Sequence, residues 1–136
     1  MSNSFASGNG EKGIYLNAIE DFSINNCLVT LSDETGIVIY SSENINFTNV
    51  IVKNNSVSDT GSCGIALKGC SNIALTNCQS YDERDTPLQY YGLGLYATNT
   101  GISLVNCKLT PNKEGEIYVP PGVALTVIPE KMLAKF

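Results

Sequence analysis

An internal repeat constrains the fold of this chain more than any other feature of its sequence. A glycine that opens a short apolar stretch occurs at Gly13, Gly36, Gly64 and Gly92, and a second apolar stretch ending in Asn follows each time. Successive glycines are 23, 28 and 28 residues apart, a period typical of solenoid proteins. The sequence therefore predicts a stack of similar units.

Apolar residues alternate with polar or small ones inside each repeat, as expected for strands with one buried face. In the second repeat the buried positions are Ile37 and Ile39, then Ile45 and Phe47, then Val52 in a third short stretch. Three strands in about 23 residues leave no room for a helix of ten or more residues. This predicts an all-β fold, a right-handed single-stranded parallel β-helix of about five coils with a C-terminal cap. A β-sandwich is the alternative, but it does not predict equivalent residues in register over four repeats.

Asn recurs at the end of the second stretch of each repeat, at Asn26, Asn49, Asn77 and Asn106. Asn tolerates the left-handed backbone conformation of a sharp bend. Its side-chain amide can also bond to an Asn stacked above or below it. We therefore expect an Asn ladder along one bend of the β-helix.

The cysteines fit a structural interpretation better than a metal site. The chain has five Cys and no His, and it has no Cys-x-x-Cys pair. One repeat position is occupied in turn by Cys27, Val50, Cys78 and Cys107. A position that accepts Val or Cys is a small apolar core position. Cys63 and Cys70 flank an extended strand, which separates them too far for a disulfide. We expect buried free thiols, with no metal and no cofactor.

The charge of the chain argues against nucleic acid as a partner. The formal net charge is −5, and no run of basic residues occurs, whereas phosphate binding needs clustered Lys and Arg. No stretch is long and apolar enough to predict a membrane span. The N-terminal segment does not resemble a signal peptide. If this chain is a piece of a longer one, a secretion signal would lie upstream of it.

Both ends of the repeat region depart from its pattern. Asn3 falls at the Asn position of a coil, so residues 1–12 are expected to form a partial N-terminal coil. Residues 13–128 would form the β-helix coils, and residues 129–136, after Pro129, a C-terminal cap. Open solenoid ends are normally covered. We therefore expect either upstream coils of the same protein or another subunit, as in a homotrimer.

The outward side of the first strand carries a row of aromatic residues. Counting four residues from each opening position, with Glu114 as the fifth opener, predicts that one row contains Asn17, Tyr40, Lys68, Tyr96 and Tyr118. Tyr15 points outward beside this row. Tyr rings stack on the apolar faces of sugars while their hydroxyl groups bind polar ones. The row is thus a candidate glycan-binding surface. Tyr is also a favourable strand residue, and a subunit contact would use the same face.

Two repeats are extended between the third strand and the next glycine. The inserts span residues 53–63 and 79–91, and the second contains the densest charged group, Asp82, Glu83, Arg84 and Asp85. Loops on a rigid scaffold commonly carry binding residues. A solvated turn ahead of Pro87 is the alternative interpretation.

The coils, the Asn positions and the stretch Tyr81-Asp82-Glu83-Arg84-Asp85-Thr86-Pro87-Leu88-Gln89-Tyr90-Tyr91-Gly92-Leu93 resemble the C-terminal coils of the pectate-lyase-like β-helix superfamily. That group includes pectate lyases, polygalacturonase-like hydrolases, mannuronan epimerases and phage tailspikes, and the resemblance covers about residues 3–128. It implies a polysaccharide lying along the first-strand face between loop walls. It also implies that this chain is part of a longer one that is extracellular or on a virion surface. The residues it implies are Tyr40, Lys68 and Tyr96 on the floor and Asp59, Asp82 and Asp85 on the wall.

The chain also departs from this superfamily. Epimerase-type and polygalacturonase-type sites use His beside Asp, and His is absent here. Lys68 or Arg84 could act as the base of a lyase with a Tyr as acid, and Asp82 with Asp59 or Asp85 could serve as the carboxylates of a glycosidase. The catalytic candidates are therefore Asp82, Asp85, Lys68 and Arg84. The substrate-binding candidates are Tyr15, Tyr40, Tyr96, Tyr118, Asp59 and Glu83.

The sequence thus predicts a C-terminal β-helix segment of a polysaccharide-active protein, which binds or positions a glycan along its first-strand face. Two alternatives remain at this point. One is a catalytic polysaccharide lyase or glycoside hydrolase that uses the acidic loop. The other is the structural shaft of a trimeric tailspike or adhesin. The expected partner is a polysaccharide, with neither nucleic acid nor membrane.

Overall fold

A computed structural model describes residues 1–121 and the backbone of the strand Val127–Ile128. Its strands, in chain order, are β1 Phe5–Ser7, β2 Ile14–Asn17, β3 Glu20–Asn25, β4 Leu28–Thr30, β5 Ile37–Tyr40, β6 Glu43–Thr48, β7 Ile51–Lys53, β8 Ile65–Lys68, β9 Ser71–Thr76, β10 Gln79–Tyr81, β11 Tyr91–Tyr96, β12 Thr100–Val105, β13 Gly115–Tyr118 and β14 Val127–Ile128. No helix long and apolar enough to cross a membrane occurs in this part of the chain.

The strands form three parallel sheets along the β-helix. Sheet 1 has the order β13-β11-β8-β5-β2, sheet 2 the order β14-β12-β9-β6-β3, and sheet 3 the order β1-β4-β7-β10. Each strand pairs with the strand one coil away in sequence, as β5 does with β2 and β8. The predicted right-handed parallel β-helix is confirmed.

The core is a set of stacked apolar rows, one row for each inward position. Ile37, Ile65 and Leu93 pair in register on sheet 1, and all three are fully buried. Equivalent side chains on adjacent coils lie about 4.8 Å apart, so each row packs against itself along the β-helix axis. At the N-terminal coil the rows are less covered, and Leu16 and Phe22 are only partly buried.

The bends depend on residues with left-handed backbone conformation. Asn26, Asn49, Asn77 and Asn106 have φ values of 54°, 55°, 54° and 57°. All four side chains are exposed, and Asn49 Nδ2 donates a hydrogen bond to Asn26 Oδ1 at 3.2 Å. This observation assigns the four Asn to the bend. The continuation of amide bonding through Asn77 and Asn106 stays a prediction.

A second polar row, which the sequence did not predict, lies at the start of sheet 2. Asn44 Nδ2 donates to Asp21 Oδ1 at 3.0 Å, and Asn72 Nδ2 donates to Asn44 Oδ1 at 2.8 Å. All three residues have positive φ, and Gly101 continues the row with φ 64°. The strands of sheet 2 therefore have residues with left-handed backbone conformation near both of their ends.

A buried polar row holds the two long loops to the body of the β-helix. Asn55 Oδ1 accepts a hydrogen bond from the backbone N–H of Ser32 at 3.0 Å. Gln89 Oε1 accepts from Asn55 Nδ2 at 3.2 Å, and Gln89 Nε2 donates to Asn112 Oδ1 at 2.8 Å. Asn55 and Gln89 are fully buried. The bases of the loops are thus fixed by bonds that run from coil to coil.

The terminal segments are described only in part. Strand β1 pairs in register with β4, with Phe5 opposite Leu28, and Asn3 has a φ of 52° like the Asn of later coils. The cap expected over residues 129–136 lies outside the described residues. The division into a partial coil, full coils and a cap stays a prediction.

Candidate functional site

The outward side of sheet 1 carries the aromatic row expected from the sequence. Asn17, Tyr40, Lys68 and Tyr96 pair in register on four successive coils. The neighbouring outward row contains Tyr15, Val38, Ala66 and Gly94. We call the outward surface of sheet 1 the tyrosine face.

The placement of Tyr118 in the Tyr96 row was wrong. Tyr118 pairs with Gly94, and Gly115 pairs with Tyr91, so the last coil is shifted by two residues from the predicted alignment. The prediction fails because this coil has no opening glycine to mark its register, and Glu114 does not lie opposite Gly92. Tyr118 nevertheless lies on the same face, with its ring centroid 5.4 Å from that of Tyr96.

A groove of about 320 Å³ runs over the tyrosine face. Its floor contains Val38 and Ala66, which are buried although they point outward. Tyr40, Lys68 and Tyr96 line the groove as well. Its remaining lining residues are Lys12, Glu34, Thr35, Gly61 and Ser62. Strands and loops of four successive coils therefore contribute to one elongated depression.

Tyr40 and Lys68 form the centre of the aromatic row. Lys68 Nζ lies 5.7 Å from the ring centroid of Tyr40, within the range of a cation–π contact. Tyr15 packs edge to face on Tyr40 with centroids 5.7 Å apart. Lys68 is exposed, and no carboxylate within the described part of the chain forms a salt bridge with it. This cation is therefore available to an external anion.

Tyr96 is held more firmly than the other tyrosines of the face. Its hydroxyl group lies 3.3 Å from Cys63 Sγ, which is buried. A side chain at Gly94 would clash with Tyr96 and Cys63, because a Cβ there would come within 2.7 Å of both. Burial raises the pKa of the Tyr96 hydroxyl group, and the neighbouring Cys63 raises it further. Tyr96 is thus a fixed, protonated hydroxyl group at neutral pH.

An ion pair at the N-terminal side of the groove was missed by the sequence analysis. Lys12 Nζ lies 3.0 Å from Glu34 Oε2 and 3.6 Å from Glu11 Oε2. The bond to Glu34 raises the pKa of Lys12. A second depression of about 480 Å³, lined by Glu11, Lys12, Tyr15 and Tyr40, adjoins this pair. The sequence offers one indication of this pair, because Lys12 and Glu34 both lie just before an opening glycine. Lys12 precedes Gly13, and Glu34 lies two residues before Gly36.

The first long loop forms a wall of the groove through its C-terminal part. Gly61 and Ser62 line the groove, while Asp59 points to the last coil and accepts a bond from Lys113 Nζ at 3.0 Å. Lys113 also donates to the Tyr90 hydroxyl group at 3.2 Å. The predicted wall residue Asp59 therefore braces the loop and is absent from the groove lining.

The acidic loop organises itself around Asp82, which is fully buried. Asp82 Oδ2 accepts hydrogen bonds from the backbone N–H groups of Leu88 and Gln89 at 2.7 and 2.8 Å. Its Oδ1 accepts from Arg84 Nε at 2.8 Å, and Arg84 also donates to the Asn55 carbonyl at 2.7 Å. Burial opposes the ionisation of Asp82, but these bonds outweigh it and lower the pKa of this carboxyl. The contacts favour a structural role for Asp82 and Arg84.

The remaining charged residues of this loop lie on its outer side. Glu83 is exposed and accepts a bond from Lys53 Nζ at 3.1 Å, and Asp85 is also exposed. Neither residue lines the groove of the tyrosine face. The catalytic assignment of Asp85 and Lys68 stays a prediction, and the structure does not bring these two residues to one groove.

The groove presents three kinds of polar group, namely a protonated Tyr hydroxyl group, an ammonium group and one carboxylate that is already paired. Among the described residues, no group of three or more His, Cys, Asp or Glu side chains is arranged to hold a metal ion. All five cysteines are free and buried, as expected for core positions.

Comparison with known proteins identifies the fold family. A family model described as "Right handed beta helix region" matches residues 1–128. No curated protein matches this chain at a significant level.

Two solved structures share the fold. The A-module of mannuronan C-5 epimerase AlgE4 from Azotobacter vinelandii superposes with a TM-score of 0.71 and 10% identity, over 92% of this chain and 37% of that one. The A-module of mannuronan C-5 epimerase AlgE6 from the same organism superposes with a TM-score of 0.50 and 11% identity. That superposition covers 93% of this chain and 41% of the AlgE6 module. This chain thus spans less than half the length of either module.

Proposed function

This chain belongs to the right-handed β-helix family, and from this premise we propose that it binds a polysaccharide along the tyrosine face. The observation that carries the proposal is the groove over sheet 1, in which Tyr40, Lys68 and Tyr96 from three successive coils lie side by side.

The shape of the groove suits a linear polymer. Tyr40 and Tyr96 lie two coils apart, or about 10 Å at the usual strand spacing, and Lys68 lies between them. Tyr15 extends the aromatic surface by one further coil beyond Tyr40. Aromatic rings offer apolar faces for stacking and hydroxyl groups for hydrogen bonds. An extended sugar chain can use both along the β-helix axis.

The charge of the groove favours a polysaccharide that carries carboxylates. Lys12 is paired with Glu34, whereas Lys68 contacts the Tyr40 ring and is exposed. A sugar carboxylate near Lys68 would form a charge-assisted bond, which is stronger than a neutral one. Because the net charge of the chain is −5, the attraction would be local to this lysine. Mannuronan, named in both solved structures, is the first polymer to test.

Affinity electrophoresis of the chain through gels that contain acidic or neutral polysaccharides tests the proposal. Retardation by an acidic polymer is expected, and Tyr40→Ala should weaken the affinity by about tenfold, equivalent to about 1.4 kcal/mol. Tyr81→Ala is the matched control, because Tyr81 also lies under a lysine, with Lys108 Nζ 4.8 Å from its ring centroid, but belongs to sheet 3.

Equal retardation of wild type and Tyr40→Ala would contradict the proposal, and so would an equal loss in Tyr81→Ala. Mass spectrometry of the same polymers after incubation separates binding from chain cleavage, and proton NMR of the polymers separates binding from C-5 epimerisation, which leaves the mass unchanged. Unsaturated products would indicate a lyase and saturated fragments a hydrolase. Retardation without either product is the result expected of a binding segment.

A further inference from the structure

Cys78 and Cys107 occupy equivalent positions on adjacent coils. The flanking residues fix this register, since Thr76 pairs with Val105 in sheet 2 and Gln79 pairs with Lys108 across the bend. The Lys108 N–H donates to the Cys78 carbonyl at 2.9 Å. Both side chains point into the core and are buried. The two thiols are thus direct neighbours along the axis of the β-helix.

The spacing of stacked coils falls within the range of disulfides. Adjacent strands lie about 4.8 Å apart, and the Cα atoms of disulfide-bonded cysteines are usually about 4.4–6.8 Å apart. Cys107 Sγ already reaches into the neighbouring coil, where it donates to the Leu75 carbonyl at 3.3 Å. Closure of a bond requires side-chain rotation and small shifts within the core.

The same row contains an internal comparison. Val50 separates Cys27 from Cys78, because it pairs in register between them through its neighbours Thr48 and Ile51. Cys27 and Cys78 are therefore two coils apart, about 10 Å, beyond the reach of a disulfide. Geometry thus singles out one pair of this row.

We propose that Cys78 and Cys107 are a redox pair that closes into a disulfide between adjacent coils in oxidising surroundings. With glutathione disulfide as oxidant, each of the two thiols gives up one proton and one electron, and a sulfur–sulfur bond forms between Cys78 and Cys107. The disulfide bond of glutathione breaks, and two glutathione thiols take up the two electrons and two protons.

Burial sets the rate of this reaction. The thiolate is the attacking species. The hydrogen bond between the two cysteines lowers the pKa of Cys107 and raises that of Cys78, so Cys107 is the attacking thiolate of the pair. Both thiols are buried, so exchange should be slow and should depend on transient opening of the coils. Once closed, the bond links the coil that contains Lys68 to the coil that contains Tyr96. It would fix the spacing of two groove residues.

The experiment is incubation of the folded chain with glutathione disulfide at about pH 8.5, near the ordinary thiol pKa, followed by alkylation under denaturing conditions and mass spectrometry. Two of the five thiols should be lost, and a cross-linked peptide should contain Cys78 and Cys107. The urea midpoint of unfolding should rise and return to its original value with dithiothreitol.

Two variants sharpen the result. After incubation with glutathione disulfide, Cys78→Ser should retain all of its remaining thiols, and its urea midpoint of unfolding should not change. Val50→Cys places a thiol between Cys27 and Cys78, so it should allow a new cross-link from residue 50 to one of its two neighbours. Five free thiols in the wild type after incubation would overturn the proposal. Mixed disulfides with glutathione, or a cross-link that involves Cys63 or Cys70, would overturn it as well.

Discussion

Lys68 and Tyr40 occupy the same register position on neighbouring coils, and Lys68 Nζ lies 5.7 Å from the centroid of the Tyr40 ring. The pair combines a cation with an aromatic surface at the centre of the groove on the tyrosine face. The proposed affinity for an acidic polysaccharide therefore depends on this lysine.

Lys68→Gln should reduce the affinity for an acidic polysaccharide by about tenfold, because one charge-assisted bond contributes about 1.5–3 kcal/mol, part of which the amide retains. Lys68→Arg should retain most of the affinity. Titration calorimetry at low and moderate salt measures both. Lys108→Gln on sheet 3 is the matched control, since Lys108 also lies over a Tyr ring. If Lys108→Gln lowers the affinity as much as Lys68→Gln does, the proposed role of Lys68 is contradicted.

Asp82→Asn should destabilise the fold by about 3 kcal/mol, because it breaks a buried charge pair with Arg84 and weakens two backbone bonds. Asp85→Asn, three residues away and exposed, should change the free energy of unfolding by less than about 0.5 kcal/mol. Urea unfolding of both variants tests this difference. Equal stability of the two variants would show that Asp82 does not organise the loop.

The same carboxyl predicts a pH dependence of stability. The pKa of Asp82 is lowered in the folded chain, so the folded state binds this proton less readily than the unfolded state does. The contribution of Asp82 is therefore complete above the unfolded pKa of about 3.9 and is lost as the pH falls through the folded value. The stability difference between wild type and Asp82→Asn should narrow below about pH 4. A difference that stays constant from neutral to acidic pH would contradict this assignment.

The sequence predicted the fold well because a β-helix repeats one local rule in every coil. Inward positions such as Ile37 and Ile65 alternate with polar ones, and register then follows from the repeat. The rule failed where a coil lost its glycine, and Tyr118 was placed two residues from its observed register. When the first residue of a coil is not glycine, the sequence no longer marks where the coil begins, and the register of its strand cannot be predicted.

The site was predictable only in part. The row of Tyr40, Lys68 and Tyr96 follows from strand periodicity, so it was found. The Lys12–Glu34 pair and the buried Asn55–Gln89 bond lie in bends and inserts, where no period relates one coil to the next. The sequence makes Asp82 a catalytic candidate because it shows a cluster of charged residues there. It does not show that the Asp82 side chain is completely buried.

Asn77→Ala should cost about 1–2 kcal/mol, because Asn77 has a φ of 54° and Ala lacks the short polar side chain that lets Asn tolerate this left-handed conformation. Asn77→Gly removes the amide but permits the same φ, so it should be close to neutral. Since the side chain is exposed, backbone conformation is expected to dominate. If Asn77→Gly is as destabilising in urea as Asn77→Ala, amide bonding between coils is the larger contribution.

Asn55→Ala should destabilise the chain by about 2–3 kcal/mol, because it leaves the buried N–H of Ser32 without a partner and removes the Asn55 Nδ2 bonds to Gln89 Oε1 and the Val29 carbonyl. The matched variant is Asn46→Ala, whose side chain is exposed on the outer side of sheet 2. That substitution should change the free energy of unfolding by less than about 0.5 kcal/mol. Similar urea midpoints for the two variants would contradict the structural role of the buried row.

Saturation transfer from a bound polysaccharide to the rings of the seven tyrosines tests the central proposal most directly. With ring-labelled tyrosine, the proposal predicts transfer to Tyr15, Tyr40 and Tyr96 on the tyrosine face and none to Tyr81 on sheet 3. Transfer to Tyr81 without transfer to Tyr40 and Tyr96 would place the ligand on another face and contradict the account. Absence of transfer to any ring, with every acidic and neutral polymer, would contradict polysaccharide binding by this chain.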